Sequence, residues 1–197
     1  MEQNVSMKIN ELPSPTWNWL KVNETPIKWS NKIEPCEIAA EGDAVATETE
    51  QLSDIETGAG READAIFATE NTAKYQILAD NAGQDKTVRL HISGKKDAHT
   101  AGCVEIVAKE NSTLTVVMDS RVAPDATKEE DSTAEASLAV RVRMKVESGA
   151  SVRLVQVQMP QEHETLLSDI GGNLIGEGAK VEYIQLFLGK GNLYSGC

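Results

Sequence analysis

Thiol and imidazole are the groups in this chain that could hold iron or zinc or carry sulfur. The sequence has three cysteines and three histidines. His99 stands four residues before Cys103, with His91 further upstream, and these three are the candidate metal ligands. Their spacing is neither CxxC nor HxxxH, the patterns that bring two ligands to one metal. Two readings stay open. Either Cys103 is a small buried residue opening a strand and His99 a loop residue, or the pair is a station for a metal ion or a persulfide. Cys36 follows Pro35 in an acidic stretch and reads as solvent-exposed and partnerless. Cys197 reads as an exposed thiol able to oxidise between chains. An odd, widely spaced set argues against a disulfide framework and fits a reducing compartment.

Other charged residues read as surface. Glu162-His163-Glu164, just after Pro160, marks a corner loop. Glu110, Glu147 and Glu177 recur beside turns, where they stay solvated or orient backbone amides; stacked as a metal-binding ladder they would repel one another. Arg141, Arg143, Lys145 and Arg153 form an outward row and read as a solvated sheet face. A net charge of −12 and a pI near 4.7 disfavour nucleic acid and anionic membranes as partners. There is no Walker A sequence, dinucleotide fingerprint, Gly-x-Ser-x-Gly elbow or HExxH. Any ATP use therefore belongs to a partner, and no catalytic residue is assigned. No intrinsic cofactor is expected.

The elements that must position these residues fall into three segments. Residues 1–33 form an N-terminal arm with all three tryptophans, Trp17, Trp19 and Trp29, interrupted by Pro13, Pro15 and Pro26. The indoles either pack the arm onto the main body or present a docking surface. Two prolines before Trp17 suggest an extended lead-in and one helical turn through Leu20. Residues 34–65 read as a flexible acidic connector with poor apolar periodicity. Residues 34–70 carry eleven Asp and Glu against one Arg, which accounts for most of the net charge. No secretory h-region and no run of about 18 apolar residues is visible, so a cytoplasmic, non-membrane protein is expected.

Residues 66–197 read as the core. Ile66 and Phe67 begin it, and Tyr75, Ile77, Val88, Leu90 and Ile92 continue with two-residue alternation. Val104, Ile106 and Ala108 follow, then Leu114, Val116 and Met118. A polar loop runs through residues 121–136. The longest alternation is Leu138, Val140, Val142, Met144 and Val146. A strand–turn–strand unit recurs, with an apolar anchor before each turn and another six positions later: Ala108 and Leu114, Val146 and Val152, Ile175 and Val181. The first anchors are 38 and 29 residues apart. Variable spacing suits a solenoid with corner loops of different length. The aliphatic interior and an aromatic content of 4% favour a right-handed parallel β-helix over a β-sandwich, the alternative all-β fold.

Three stretches carry a resemblance to a known family: LPSPTWNWLKVNE at 12–24, VRMKVESGASVRLVQVQ at 142–158, and GGNLIGEGAKVEYIQLFLGKGNLYSG at 171–196. With Glu56-Thr57-Gly58 and Asp64-Ala65-Ile66-Phe67, this ordered set resembles the SufB/SufD family, and its first motif looks more like the SufD branch. The resemblance covers most of the chain and is weakest in the acidic stretch. It implies a parallel β-helix that serves as a non-catalytic scaffold subunit for iron–sulfur cluster assembly. The implied partners are a SufB-like paralogue and the ATPase SufC, with a cluster held only transiently by the full complex. Family members continue past the equivalent of Cys197 through further coils and ATPase-binding helices. A truncated chain is therefore expected here, with its open last coil pairing with a second copy. Two other readings remain: a β-helical carbohydrate-active enzyme, which needs clustered acids on one sheet face, and a structural solenoid with no cluster role.

Overall fold

A strand with apolar residues at every second position has one face to bury, and from Ala73 onward the chain supplies such strands in unbroken succession. The computed structural model describes residues 4–11, 24–68, 70–80, 82–123 and 136–197. Trp17, Trp19 and the motif at 12–24 (except Glu24), and most of the polar loop at 121–136, lie outside the described residues. Consecutive strands form two-strand coils: β6 (Ala73–Ala79) with β7 (Asp85–Ser93), β8 (His99–Ala108) with β9 (Thr113–Arg121), β10 (Ser137–Val146) with β11 (Ser151–Gln158), and β12 (Thr165–Leu174) with β13 (Lys180–Phe187). The next strand, β14 (Asn192–Gly196), lies on β12. The strands alternate between two sheets. One runs β6-β8-β10-β12-β14 and the other β7-β9-β11-β13, and every neighbour in these runs is parallel. That is a parallel β-helix with two strands per coil.

The inward rows are those expected from alternation. Val104, Ile106 and Ala108 of β8 face Leu114, Val116 and Met118 of β9 across the lumen, and the row from Leu138 to Val146 continues the same core. The repeat anchors also stack. Ala108 pairs with Val146, and Leu114, Val152 and Val181 form one row. The third unit is one residue out: Val146 pairs with Leu174, not Ile175. Its corner is one residue longer, and Gly176 absorbs it at φ 98°. Asn111, Gly149 and Gly178 stack at the bends, all left-handed (φ 57°, 68° and 75°). The Asn111 and Gly149 amides donate to Ser148 and Glu177 carbonyls of the next coil (3.0 and 2.9 Å), which ties bend to bend. A Cβ at Gly149 would lie 2.3 Å from Asn111 Oδ1, so this bend needs glycine for space as well as for φ.

Toward the last coil the lumen turns polar. Gln156 Oε1 accepts hydrogen bonds from Ser168 and Tyr183 hydroxyls (both 2.9 Å), and the Gln185 amide donates to Gln158 Oε1 (2.6 Å). Gln156, Gln158 and Ser168 are buried, so these bonds are what makes their burial tolerable.

The acidic connector is a correction. Residues 34–65 hold β3 (Glu34–Pro35), β4 (Glu37–Gly42) and β5 (Val45–Glu48) and then a strap across the outer face of β8, β10 and β12. β4 pairs antiparallel with β7 and β5 antiparallel with β6, so the two strands close one end of the helix. The parallel coils start at Ala73. Ile66 and Phe67 belong instead to a short helix, α1 (Asp64–Phe67), that ends the strap. The arm is a hairpin of β1 (Asn4–Ile9) and β2 (Thr25–Ser30). Met7, Ile9, Ile27 and Trp29 bury themselves with Ile66 and Phe67 against Ala101, Ala139 and Leu167, outward residues of the first sheet. Packing onto the body is thus the role of Trp29. The described residues therefore form two apolar cores, one inside the coils and one between the first sheet and its cover. No helix among the described residues is long and apolar enough to cross a membrane.

Candidate functional site

The covered face of the first sheet holds three of the four buried charged side chains among the described residues, Glu105, Arg141 and Asp169. Parallel register lines up Lys74, Cys103, Arg141 and Asp169 across β6, β8, β10 and β12. One step along, Gln76, Glu105, Arg143 and Gly171 form the neighbouring row. Small residues bring the cover close. A Cβ on Gly171 would lie 1.9 Å from the Glu56 carbonyl oxygen, so only glycine lets the strap lie flat there.

Arg141 corrects the expectation of a solvated row: it is 3% exposed. Its Nε donates to Asp169 Oδ2 (2.7 Å), its Nη1 lies 2.8 Å from Asp64 Oδ1 at the start of α1, and its guanidinium sits 4.2 Å above the Phe67 ring. Asp169 is fully buried and also accepts from Thr57 Oγ1 (2.7 Å) and the Ala59 amide (2.8 Å). Three donors, one of them a fixed guanidinium, offset the desolvation of this buried carboxylate. Arg143 donates to the Ser53 carbonyl (2.8 Å). Glu105 accepts from the Ser53 amide (2.8 Å) and from Gln76 (2.6 Å). Burial pushes its carboxyl up, but those hydrogen bonds and the Arg143 charge outweigh it and hold the carboxyl below its usual range. The two rows thus fasten the strap at both ends.

Cys103 lies in this face, in the middle of β8 and buried. Burial pushes its thiol up to about 11, against the pull of Arg141, Arg143 and Lys74. Covered in this way, burial outweighs those cations and favours the neutral thiol. Cys36 is also buried, a correction. It joins β3 to β4, and its Sγ packs into the space that a Gly102 side chain would take. Burial raises its thiol to about 12. Cys197 is exposed, as expected.

The two histidines stand apart. His99 is the first residue of β8, so it is in a strand and not a loop; its Nδ1 is 2.6 Å from Ser137 Oγ, and its ring lies 6.4 Å from that of Trp29. His91 faces outward on β7, in the other sheet, with Nδ1 3.2 Å from Asp119 Oδ2. His91 and Cys103 therefore lie on opposite outer faces of the helix. Among the described residues no group of three or more His, Cys, Asp or Glu is arranged to hold a metal ion.

The remaining candidates are corners. Residues 162–164 turn between β11 and β12 with His163 left-handed (φ 68°). Glu164 is buried, however, and accepts from the Gln161 amide (2.6 Å); burial raises its carboxyl. Glu147 sits one position off the stacked row of Glu110 and Glu177 and pairs with Lys109 (2.9 Å), so no carboxylate ladder forms. A cleft of about 1140 Å³ opens at the capped end, rimmed by Glu37, Glu48, Glu50 and Glu70, with Lys74 among its lining.

Sequence reasoning missed Arg141–Asp169. The two residues are 28 apart, the true offset between β10 and β12. An offset of 29, read from Val146 and Ile175, sets Arg141 opposite Ile170 and hides the pair. Compared with known protein families, curated proteins and solved structures, the chain matches none.

Proposed function

We propose that this chain is a non-catalytic scaffold subunit of the SUF iron–sulfur cluster assembly system, SufD-like, working in the cytoplasm with a SufB-like paralogue and the ATPase SufC. The observation that carries the reading is where the family-like motifs fall. The stretch at 142–158 spans β10, its bend and β11, and the stretch at 171–196 spans β12 to β14, so both lie on successive coils of one parallel β-helix. Such a wall suits assembly better than turnover, because its side chains are spent on stacking.

The two ends support the same reading. One end is closed by antiparallel strands with exposed Glu37, Glu41 and Glu48, charges that keep an edge from pairing. The other ends on β13 and β14 and exposes Leu174, Ile175, Ile184, Leu186, Phe187 and Leu188. In isolation this chain pairs with a second copy through that apolar end; in the complex the paralogue takes the place of the second copy.

The test is genetic and biochemical. Deleting the gene should lower the activity of iron–sulfur enzymes such as aconitase under iron limitation, and re-expression should restore it. Affinity capture of the gene product should bring down a β-helical paralogue and an ABC-type ATPase. Unchanged iron–sulfur enzyme activity, with neither partner captured, would sink the reading.

A further inference from the structure

The strap from residue 51 to residue 68 has no strand partner of its own, yet it covers the row that contains Cys103. It is held by the burial of Ile55, Ala59, Ala63, Ile66 and Phe67, by the Asn10 amide of the arm donating to the Ala59 carbonyl (3.0 Å), and by a polar clasp on the sheet. Thr57 and Ala59 hold Asp169, Gly58 donates to the Ile170 carbonyl (2.9 Å), Ser53 bridges Glu105 and Arg143, and Asp64 meets Arg141. Behind the strap the sheet is complete without it: β8, β10 and β12 keep every ladder bond to one another. Lifting the strap therefore costs the polar clasp and part of the outer core, while the lumen core stays closed.

We propose that this strap is a clasped cover that opens as a local unit about Arg141 and so gates access to the Cys103 thiol. Register explains why the thiol matters. Cys103 stands between Lys74 on one strand and Arg141 on the other, with Arg143 on the next row. The Nη2 of Arg141 is buried and has no hydrogen-bond partner among the described residues. Under the strap, burial dominates and the thiol stays protonated. With the strap lifted, its share of that burial is lost while Lys74, Arg141 and Arg143 stay on the sheet, a setting shifted toward a reactive thiolate. The device stands apart from the assembly reading: it needs no partner, and its test gives the same answer whether or not the chain serves iron–sulfur assembly.

The experiment is thiol labelling of the folded protein with N-ethylmaleimide, with each cysteine followed by peptide mass spectrometry. In wild type, the labelling rate of Cys103 should rise with urea at less than half the slope of global unfolding followed by far-UV circular dichroism, because a strap exposes little surface. Two variants loosen the cover by different means. Asp169→Asn weakens the clasp, and Gly171→Ala pushes on the Glu56 carbonyl without touching a charge. Each should speed Cys103 labelling at least tenfold while Cys36, buried in the lumen core, stays within about twofold of wild type. Equal urea slopes for Cys103 and global unfolding overturn the proposal. So does acceleration of both thiols together, or of neither, in the two variants. Should either variant fail to fold, the wild-type urea slope decides.

Discussion

Two buried carboxyls have been set in opposite directions, and pH separates them. Glu105 is held below its usual range by the Ser53 and Gln76 hydrogen bonds and Arg143, which overcome its burial. A depressed folded pKa adds stability above the unfolded value of about 4.3 and loses it as pH falls through the folded value. Glu105→Gln should therefore lower Tm at pH 7 by a few degrees, on the order of 1 kcal/mol for a charged hydrogen bond, and the gap should close toward pH 3. Glu164 is the reverse case, with its carboxyl raised by burial. The folded state then binds more protons between the two values, so stability declines as pH rises through that window. Glu164→Gln keeps an acceptor for the Gln161 amide and should raise Tm slightly at pH 7, with no difference below about pH 4. Thermal melts of both variants from pH 3 to 8 check both signs. Of the two carboxyls only Glu164 is singled out in the sequence, and there as part of a corner. Burial of a charged residue depends on what covers it, and the cover lies about 80 residues upstream of Arg141 in the chain, a separation no local pattern encodes.

At the scale of the element, the bend is the unit that sets the register. Gly149→Ala forces a Cβ into a left-handed bend and to 2.3 Å from Asn111 Oδ1. It should cost about 1–3 kcal/mol by urea titration, whereas Asn111→Gly, which only removes a side chain from the same kind of bend, should stay within about 1 kcal/mol. A cost for Gly149→Ala no larger than that for Asn111→Gly would show that the stack does not constrain the bend. The strands themselves were legible, because period-two alternation with aliphatic inward rows is read directly from residues such as Leu138 to Val146. The third corner was misread by one position, since Leu174 and Ile175 are both aliphatic and only backbone pairing distinguishes them. The acidic stretch was misread for another reason. In β4, Ile38 and Ala40 alternate with exposed Glu37 and Glu41, and an edge strand guarded by charge has the composition of a linker.

For the whole molecule, the contrast between ends predicts how it associates. Light scattering should give a dimer or larger species, and Leu186→Lys or Ile184→Lys should shift it to monomer with the melting curve little changed. A strictly monomeric wild type counts against pairing at the apolar end. Fold class was readable from sequence because every coil repeats the same pattern; the strap and its clasp were not, because they are made once. The antiparallel cap has one more consequence, for synthesis. β4 and β5 leave the ribosome before β6 and β7, and each later strand pairs with one made roughly one coil earlier. A finished edge is thus waiting for every strand from β6 onward, and the helix can be laid down in the order of translation, coil on coil, away from the sealed end.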